Sequence, residues 1–285
     1  MVGLIANPKA GNGKAIEILS KFEKLLLKNK LEHVLVFTKE NLDKVINEFE
    51  ENNIKHLIVF GGDGTVNSVA KRILYKDMGL VVIPGGSGND FSKSNWKDIE
   101  FQKLIFSLKE NKIYYDFVDV GYIKELDIYF FNSFGIGIAG NVAKNVKFFK
   151  NYKISTIKSL ALDYKTFKIR VNDIYEGKAI SFHIGINKIE GHGIKMFPNA
   201  QNNDNLLDFV IFKNVPYFQA FIKIPKVLKG NHIFDKYVIY NQFSEIYFEI
   251  DKEIYGHYDG EVFKIGKGSY SVICLNKALK IIKWN

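Results

Sequence analysis

The chain has 285 residues, of which 47% are hydrophobic and 25% charged, and it carries a net charge of +9. That balance excludes a disordered or fibrous chain and leaves room for two ordinary domains, each with its own core. One cysteine, Cys274, excludes an intrachain disulfide framework and points to a reducing cytoplasm, with the thiol serving as a small core hydrophobe.

The opening Met1-Val2-Gly3-Leu4-Ile5-Ala6 reads as a first strand rather than a signal peptide. From there to residue 118 strands and helices alternate. Strands are expected at 2–6, 33–38, 57–60 and 79–83, and helices at 14–28, 42–52 and 65–74. In the first helix Ile16, Leu19, Phe22 and Leu26 share a face, and Glu17, Lys21, Lys24 and Lys28 lie opposite. Such alternation implies parallel strands joined by crossover helices, with ligands outside the carboxyl ends of the strands. Three loops leave those ends, at residues 7–13, 61–65 and 84–90.

From residue 119 the pattern changes to short runs rich in Tyr, Phe, Ile and Val, at 117–122, 128–134, 179–186, 207–212, 237–240, 245–250, 262–265 and 270–275. Several alternate with period two, which indicates antiparallel strands. Helices are expected at 139–149 and 217–228, the latter kinked or ended by Pro225. The fold class that follows is an N-terminal doubly wound α/β nucleotide-binding domain, residues 1–118, and a C-terminal antiparallel β-sandwich, residues 119–285. The last ~10 residues are expected to return to the first domain. Exposed β-edges in the second make a homodimer compatible with the sequence.

The chemistry is concentrated in the loops. Gly61-Gly62-Asp63-Gly64-Thr65 joins an apolar strand to a helix, a geometry that aims backbone N–H groups and the positive helix end at an anion, phosphate above all. Asp63 would repel a phosphate unless a metal ion intervenes or the carboxylate acts on an incoming hydroxyl, so the motif suggests phosphoryl transfer. Pro84-Gly85-Gly86-Ser87-Gly88-Asn89-Asp90-Phe91 is a second glycine loop with an aspartate, where Asp90 read alone is a helix cap. Asn7-Pro8-Lys9-Ala10-Gly11 lacks the spacing of a Walker A loop and is equally readable as a plain turn. Zinc spacing, an RNA-recognition signature and a basic arm are all missing and the lysines are dispersed, so no nucleic-acid partner is expected. The charge is read as a solvated lysine surface, or as attraction to an anionic membrane.

Taken together, the loops resemble the diacylglycerol kinase catalytic-domain family, which includes bacterial soluble lipid kinases and sphingosine kinases. The resemblance rests on Asn7-Pro8 to Gly11, Gly61 to Thr65 with Asn67, Gly86 to Phe91, Asp119-Val120-Gly121, Phe131-Asn132 to Gly137, Asp204 to Asp208, and Asp259-Gly260-Glu261. The Gly61 motif alone is also similar to loops of NAD kinases and phosphofructokinases. The resemblance implies an ATP- and Mg2+-dependent, cytoplasmic kinase of a lipid alcohol that works at a membrane surface. It implies ATP contacts at Asn7, Pro8, Lys9, Ala10, Gly11, Thr38, Gly62, Asp63, Gly64, Thr65, Val66, Asn67, Ser68 and Ser87. Ser87 stands where the family often has Thr, and Ser68 where it often has Glu. It also implies that Asp63, Asp90 and Asp119 organise water and Mg2+ around the phosphates. A structural Mg2+ would sit on the Asp204 side chain and the main-chain oxygens of Gln201 and Leu206. Glu261 becomes the general base, with Asp63 its rival. Without the resemblance, Asp259-Gly260-Glu261 is a solvated hairpin turn and 203–208 an Asn/Asp loop. A kinase of a soluble alcohol such as NAD, and a non-catalytic nucleotide- or lipid-binding regulator, stay open as alternatives.

Overall fold

The structure, a computed structural model, describes residues 1–149 and 152–284. The chain divides into two compact units: Met1–Val118 with Lys277–Asn285, and Asp119–Asn276.

In the first unit β1 (Val2–Ala6), β2 (His33–Phe37), β3 (His56–Gly61) and β4 (Gly79–Pro84) run parallel in the order β2-β1-β3-β4. The C-terminal segment adds a further parallel neighbour to β4, with Ile281 opposite Leu80. Trp96 Nε1 donates to Ile282 O at 2.9 Å and ties that segment down. β1 is buried along its whole length and β3 beyond His56, as parallel strands sandwiched by helices must be. The helices are α1 (Lys14–Lys28), α2 (Leu42–Glu51), α3 (Asp63–Ala70), α4 (Asp90–Asn95) and α5 (Phe101–Lys109). α1 buries Ala15, Leu19, Phe22 and Leu26 at helical spacing. Asn41 caps α2 by accepting from Asp43 N and Lys44 N.

α3 stops at Ala70, four residues before the end expected from the sequence. The N–H of Arg72 turns to Val69 O, while its guanidinium donates to Ser68 O at 2.6 Å and so takes the carbonyl the next helical bond would use. The same guanidinium is held bidentately by Asp43 at 2.8 and 3.0 Å.

β5 (Ile113–Ile123) carries the chain into the second unit. There follow β6 (Ile128–Phe130), β7 (Ser133–Gly137), β8 (Phe167–Val171), β9 (Tyr175–Gly185), β10 (Leu207–Lys213), β11 (Val238–Phe243), β12 (Glu245–Ile250), β13 (Ile254–Tyr258), β14 (Glu261–Ile265) and β15 (Gly268–Trp284). They pair antiparallel in the order β14-β13-β7-β9-β8-β12-β15, and β10 lies between β9 and β11. Phe134, Phe182, Phe209 and Phe248 fill the core of this β-sandwich. Three helices accompany it: α6 (Ile138–Phe149), α7 (Tyr152–Leu162) and α8 (Tyr217–Lys229).

Two expectations about this half need correction. The run at 128–134 is not one strand, because the N–H groups of Phe131 and Asn132 leave the ladder for the Asp259 carboxylate, each at 2.8 Å. Nor does Pro225 end its helix: α8 continues through it to Lys229. Cys274 is half-buried against the sandwich core, and burial followed by the charges of Asp119 and Asp204 pushes its thiol well above the usual range, which disfavours the thiolate.

Candidate active site

In the first unit all three loops leave the carboxyl ends of adjacent parallel strands, and their backbones touch. Gly85 N donates to Gly61 O at 2.9 Å. A Cβ on Gly86 would lie 2.6 Å from Gly62 Cα, and one on Gly11 would lie 2.1 Å from Gly85 O. Side chains are thus excluded where the loops meet, and peptide groups line the surface instead. Asn7 locks the first loop to the second: its Nδ2 donates to Thr65 Oγ1 at 3.0 Å, and its Oδ1 accepts Lys9 N at 3.0 Å. Asn89, held left-handed at φ 56°, braces the third loop by accepting Gly86 N and donating to Gly86 O.

Asp63 opens α3 and accepts Phe91 N from the first turn of α4 at 3.1 Å. Loss of solvent, then the neighbouring Asp90 carboxylate, raises its pKa. Two carboxylates that disfavour each other's charge, beside backbone donors, make an oxygen-donor set that suits Mg2+. Thr38 is anchored by its N–H to Ala6 O, and Ser87 is exposed on the third loop. Ser68 Oγ is spent on Gly64 O within α3. Val66 buries its side chain, and its N–H donates to Gly62 O. Lys93 donates to Gly88 O at 2.7 Å and holds the third loop.

In the second unit Asp119 is fully buried, and its Oδ2 accepts Asn205 N at 2.7 Å. Asn205 sits left-handed at φ 63°, a conformation that asparagine tolerates better than most residues. Leu206 N donates to Asp204 Oδ1 at 3.0 Å. Asp119 on β5 is thereby tied to the loop that carries Gln201, Asp204 and Leu206, a second group of oxygen donors that suits a hard dication. Asp259 and Gly260, both at positive φ, make the two-residue turn between β13 and β14, and Glu261 begins β14 opposite Tyr258, exposed.

The same unit contains a cavity of about 310 Å3, lined mainly by apolar side chains such as Ile138, Val142, Leu160, Ile180, Phe212 and Val227. Sequence reasoning did not find it, since its walls come from α6, α7, α8 and the faces of β9 and β10. The role of Asp259, which accepts three backbone N–H groups, was also missed.

The family described as the diacylglycerol kinase catalytic domain matches residues 1–120, and the one described as the YegS C-terminal NAD kinase beta sandwich-like domain matches residues 135–283. The chain belongs to the diacylglycerol kinase-like lipid kinase family. Among its relatives, "Putative lipid kinase" of Streptococcus pneumoniae is 30% identical, with 90% of each chain covered. "Putative lipid kinase YtlR" of Bacillus subtilis is 27% identical over 90% of this chain and 92% of its own length. A crystal structure described as a "putative diacylglycerol kinase" of Bacillus anthracis superposes with a TM-score of 0.78 at 24% identity, covering 100% of this chain and 97% of that one, which supports the fold.

Proposed function

We propose that this lipid kinase uses ATP and Mg2+ to phosphorylate the hydroxyl of a lipid alcohol such as diacylglycerol, in the cytoplasm and at a membrane surface. The observation that carries the lipid reading is the apolar cavity of about 310 Å3 in the second unit. Its size falls in the ~300–1,000 Å3 range of small-molecule sites, and each methylene buried there contributes about 0.8 kcal/mol. A soluble alcohol such as NAD would have no use for such walls.

The three glycine loops of the first unit receive the phosphates through backbone N–H groups and the start of α3. Bound Mg2+, held in that unit through Asp63 and Asp90, supplies charge neutralisation at the transferring phosphoryl group. The turn carrying Asp204 and the main-chain oxygens of Gln201 and Leu206, with Asp119 beside it on β5, is the candidate for a second, structural Mg2+. In the transfer the bond from the γ-phosphorus to the bridging oxygen of ADP breaks, and a new ester bond forms to the lipid oxygen. Glu261 accepts the hydroxyl proton late in that step, with Asp63 as the rival acceptor.

The test measures phosphate transfer from labelled ATP to diacylglycerol, a sphingoid base and NAD. Glu261→Gln should lower kcat by about 100-fold or more on the lipid while leaving ATP binding intact. Labelling of NAD alone would replace the lipid reading with that of a soluble-alcohol kinase. ATP binding without turnover on any acceptor would favour a regulator. If Asp63→Asn abolishes transfer and Glu261→Gln does not, Asp63 is the base.

A further inference from the structure

Three buried side chains outside the glycine loops converge in the second unit. His183 on β9, Glu190 in the loop after it and His257 on β13 are each at most 4% exposed. Their ligand atoms all lie within 4.8 Å of one another. The sheet register explains the meeting: Gly135 on β7 is paired with His183 on one side and with His257 on the other. The two histidines thus flank β7 on one rung, with a glycine between them. A Cβ on Gly135 would lie 2.7 Å from Ala139 Cβ, 2.8 Å from His257 Nε2 and 3.3 Å from His183 Nδ1, so only glycine fits between the two imidazoles.

The hydrogen-bond network fixes the tautomer of His183. Ser181 Oγ donates to Ile136 O and accepts Ala139 N, each at 3.1 Å. Its contact with His183 Nε2 at 2.8 Å must then be an N–H donated by the imidazole. His183 Nδ1 faces both oxygens of Glu190, at 3.1 and 3.2 Å. His257 Nε2 is 3.4 Å from Glu190 Oε1, and its Nδ1 is buried without a hydrogen-bond partner.

We propose that His183 Nδ1, Glu190 and His257 Nε2 form a binding site for a transition-metal dication of the zinc class. Metal–nitrogen and metal–oxygen bonds of about 2.0–2.2 Å at tetrahedral angles place neighbouring donor atoms about 3.3–3.5 Å apart. The two edges to Glu190, at 3.1–3.4 Å, need only a slight opening, and the edge between the two imidazoles lies within 4.8 Å. Ser181 is the outer partner that orients a metal-bound imidazole. Two imidazoles and one carboxylate favour zinc-class ions over Mg2+. Three protein ligands leave a fourth position for a solvent or ligand oxygen. His183 and Ser181 also line the apolar cavity. The metal would pin β9, the Glu190 loop and β13, which leads into the Asp259-Gly260 turn.

The test titrates tag-free, metal-stripped protein with Co2+ and Zn2+, following the visible Co2+ bands, metal stoichiometry and Tm, with neither ATP nor lipid present. One Co2+ per chain with the intense bands of low-coordinate geometry is expected. Zn2+ should displace it and excess Mg2+ should not. Glu190→Gln and Gly135→Ala, confirmed folded by circular dichroism, should each weaken binding at least ~10-fold, the former by removing a ligand and the latter by forcing the two imidazoles apart. The site is overturned if the parent protein takes up no Co2+ with such bands, a result independent of how any variant folds. It is overturned equally if folded Glu190→Gln binds as the parent does.

Discussion

The carboxylate of Asp259 accepts the N–H groups of Phe131, Asn132 and Ser133 at 2.8, 2.8 and 3.1 Å. It thereby holds the β6–β7 corner against the turn that presents Glu261. A hydrogen bond to a charged group contributes about 1.5–3 kcal/mol, and donors stranded by its loss are costly. Asp259→Ala should therefore lower unfolding free energy by about 2–3 kcal/mol in a urea titration and lower kcat, with little change in ATP affinity. Unchanged stability would rule out the anchoring role. The turn itself was legible, because Asp-Gly before an apolar run announces a hairpin. The anchor was not, because its partners lie 126 to 128 residues upstream. Distance in sequence hid the histidine cluster in the same way: the spacing of 183, 190 and 257 follows no local period, and only the β13-β7-β9 register brings them together.

At the level of elements, parallel strands and their helices were readable from apolar periodicity, and so were the loops at the strand ends. What sequence could not give were the points where a side chain overrules the backbone pattern: Arg72 ending α3 by taking Ser68 O, and Asp259 splitting β6 from β7. β3 begins with a further such case. His56 shares a 2.9 Å hydrogen bond with Tyr115 OH, and burial, then the N-terminal amine and Lys55, hold its pKa below the usual 6.5. The folded chain keeps the ring neutral, whereas the unfolded chain takes up a proton below that usual value. This contribution to stability is complete above the unfolded pKa and is lost as pH falls from there toward the folded one. Between pH ~7.5 and ~5.5 the Tm of the parent should thus fall more steeply than that of His56→Gln. Parallel curves in a thermal-melt series would contradict it.

For the molecule as a whole, the charge of +9 and the surface of α8 bear on how a lipid substrate is reached. Among the described residues no helix is long and apolar enough to cross a membrane. Phe218 and Ile222, one turn apart on α8, are 80% and 75% exposed, and Phe234 just beyond the helix is 85% exposed. Lys226 and Lys229 occupy the last turn of the same helix. Apolar side chains beside cations are what a peripheral contact with anionic lipid requires, and burying each large side chain contributes about 1.5–3 kcal/mol. The two contributions separate in experiment. Phe218→Glu/Ile222→Glu should weaken binding to phosphatidylglycerol-containing vesicles by about 100-fold or more, since two such side chains together outweigh about 2.8 kcal/mol. Raising salt from ~0.1 to ~1 M shortens the Debye length from ~10 to ~3 Å, so it should bring the parent down only to its level on neutral vesicles. Loss of all binding in high salt would mean that charge alone holds the protein there and that α8 does not insert. Vesicle binding by the double variant equal to that of the parent would place the contact on another surface.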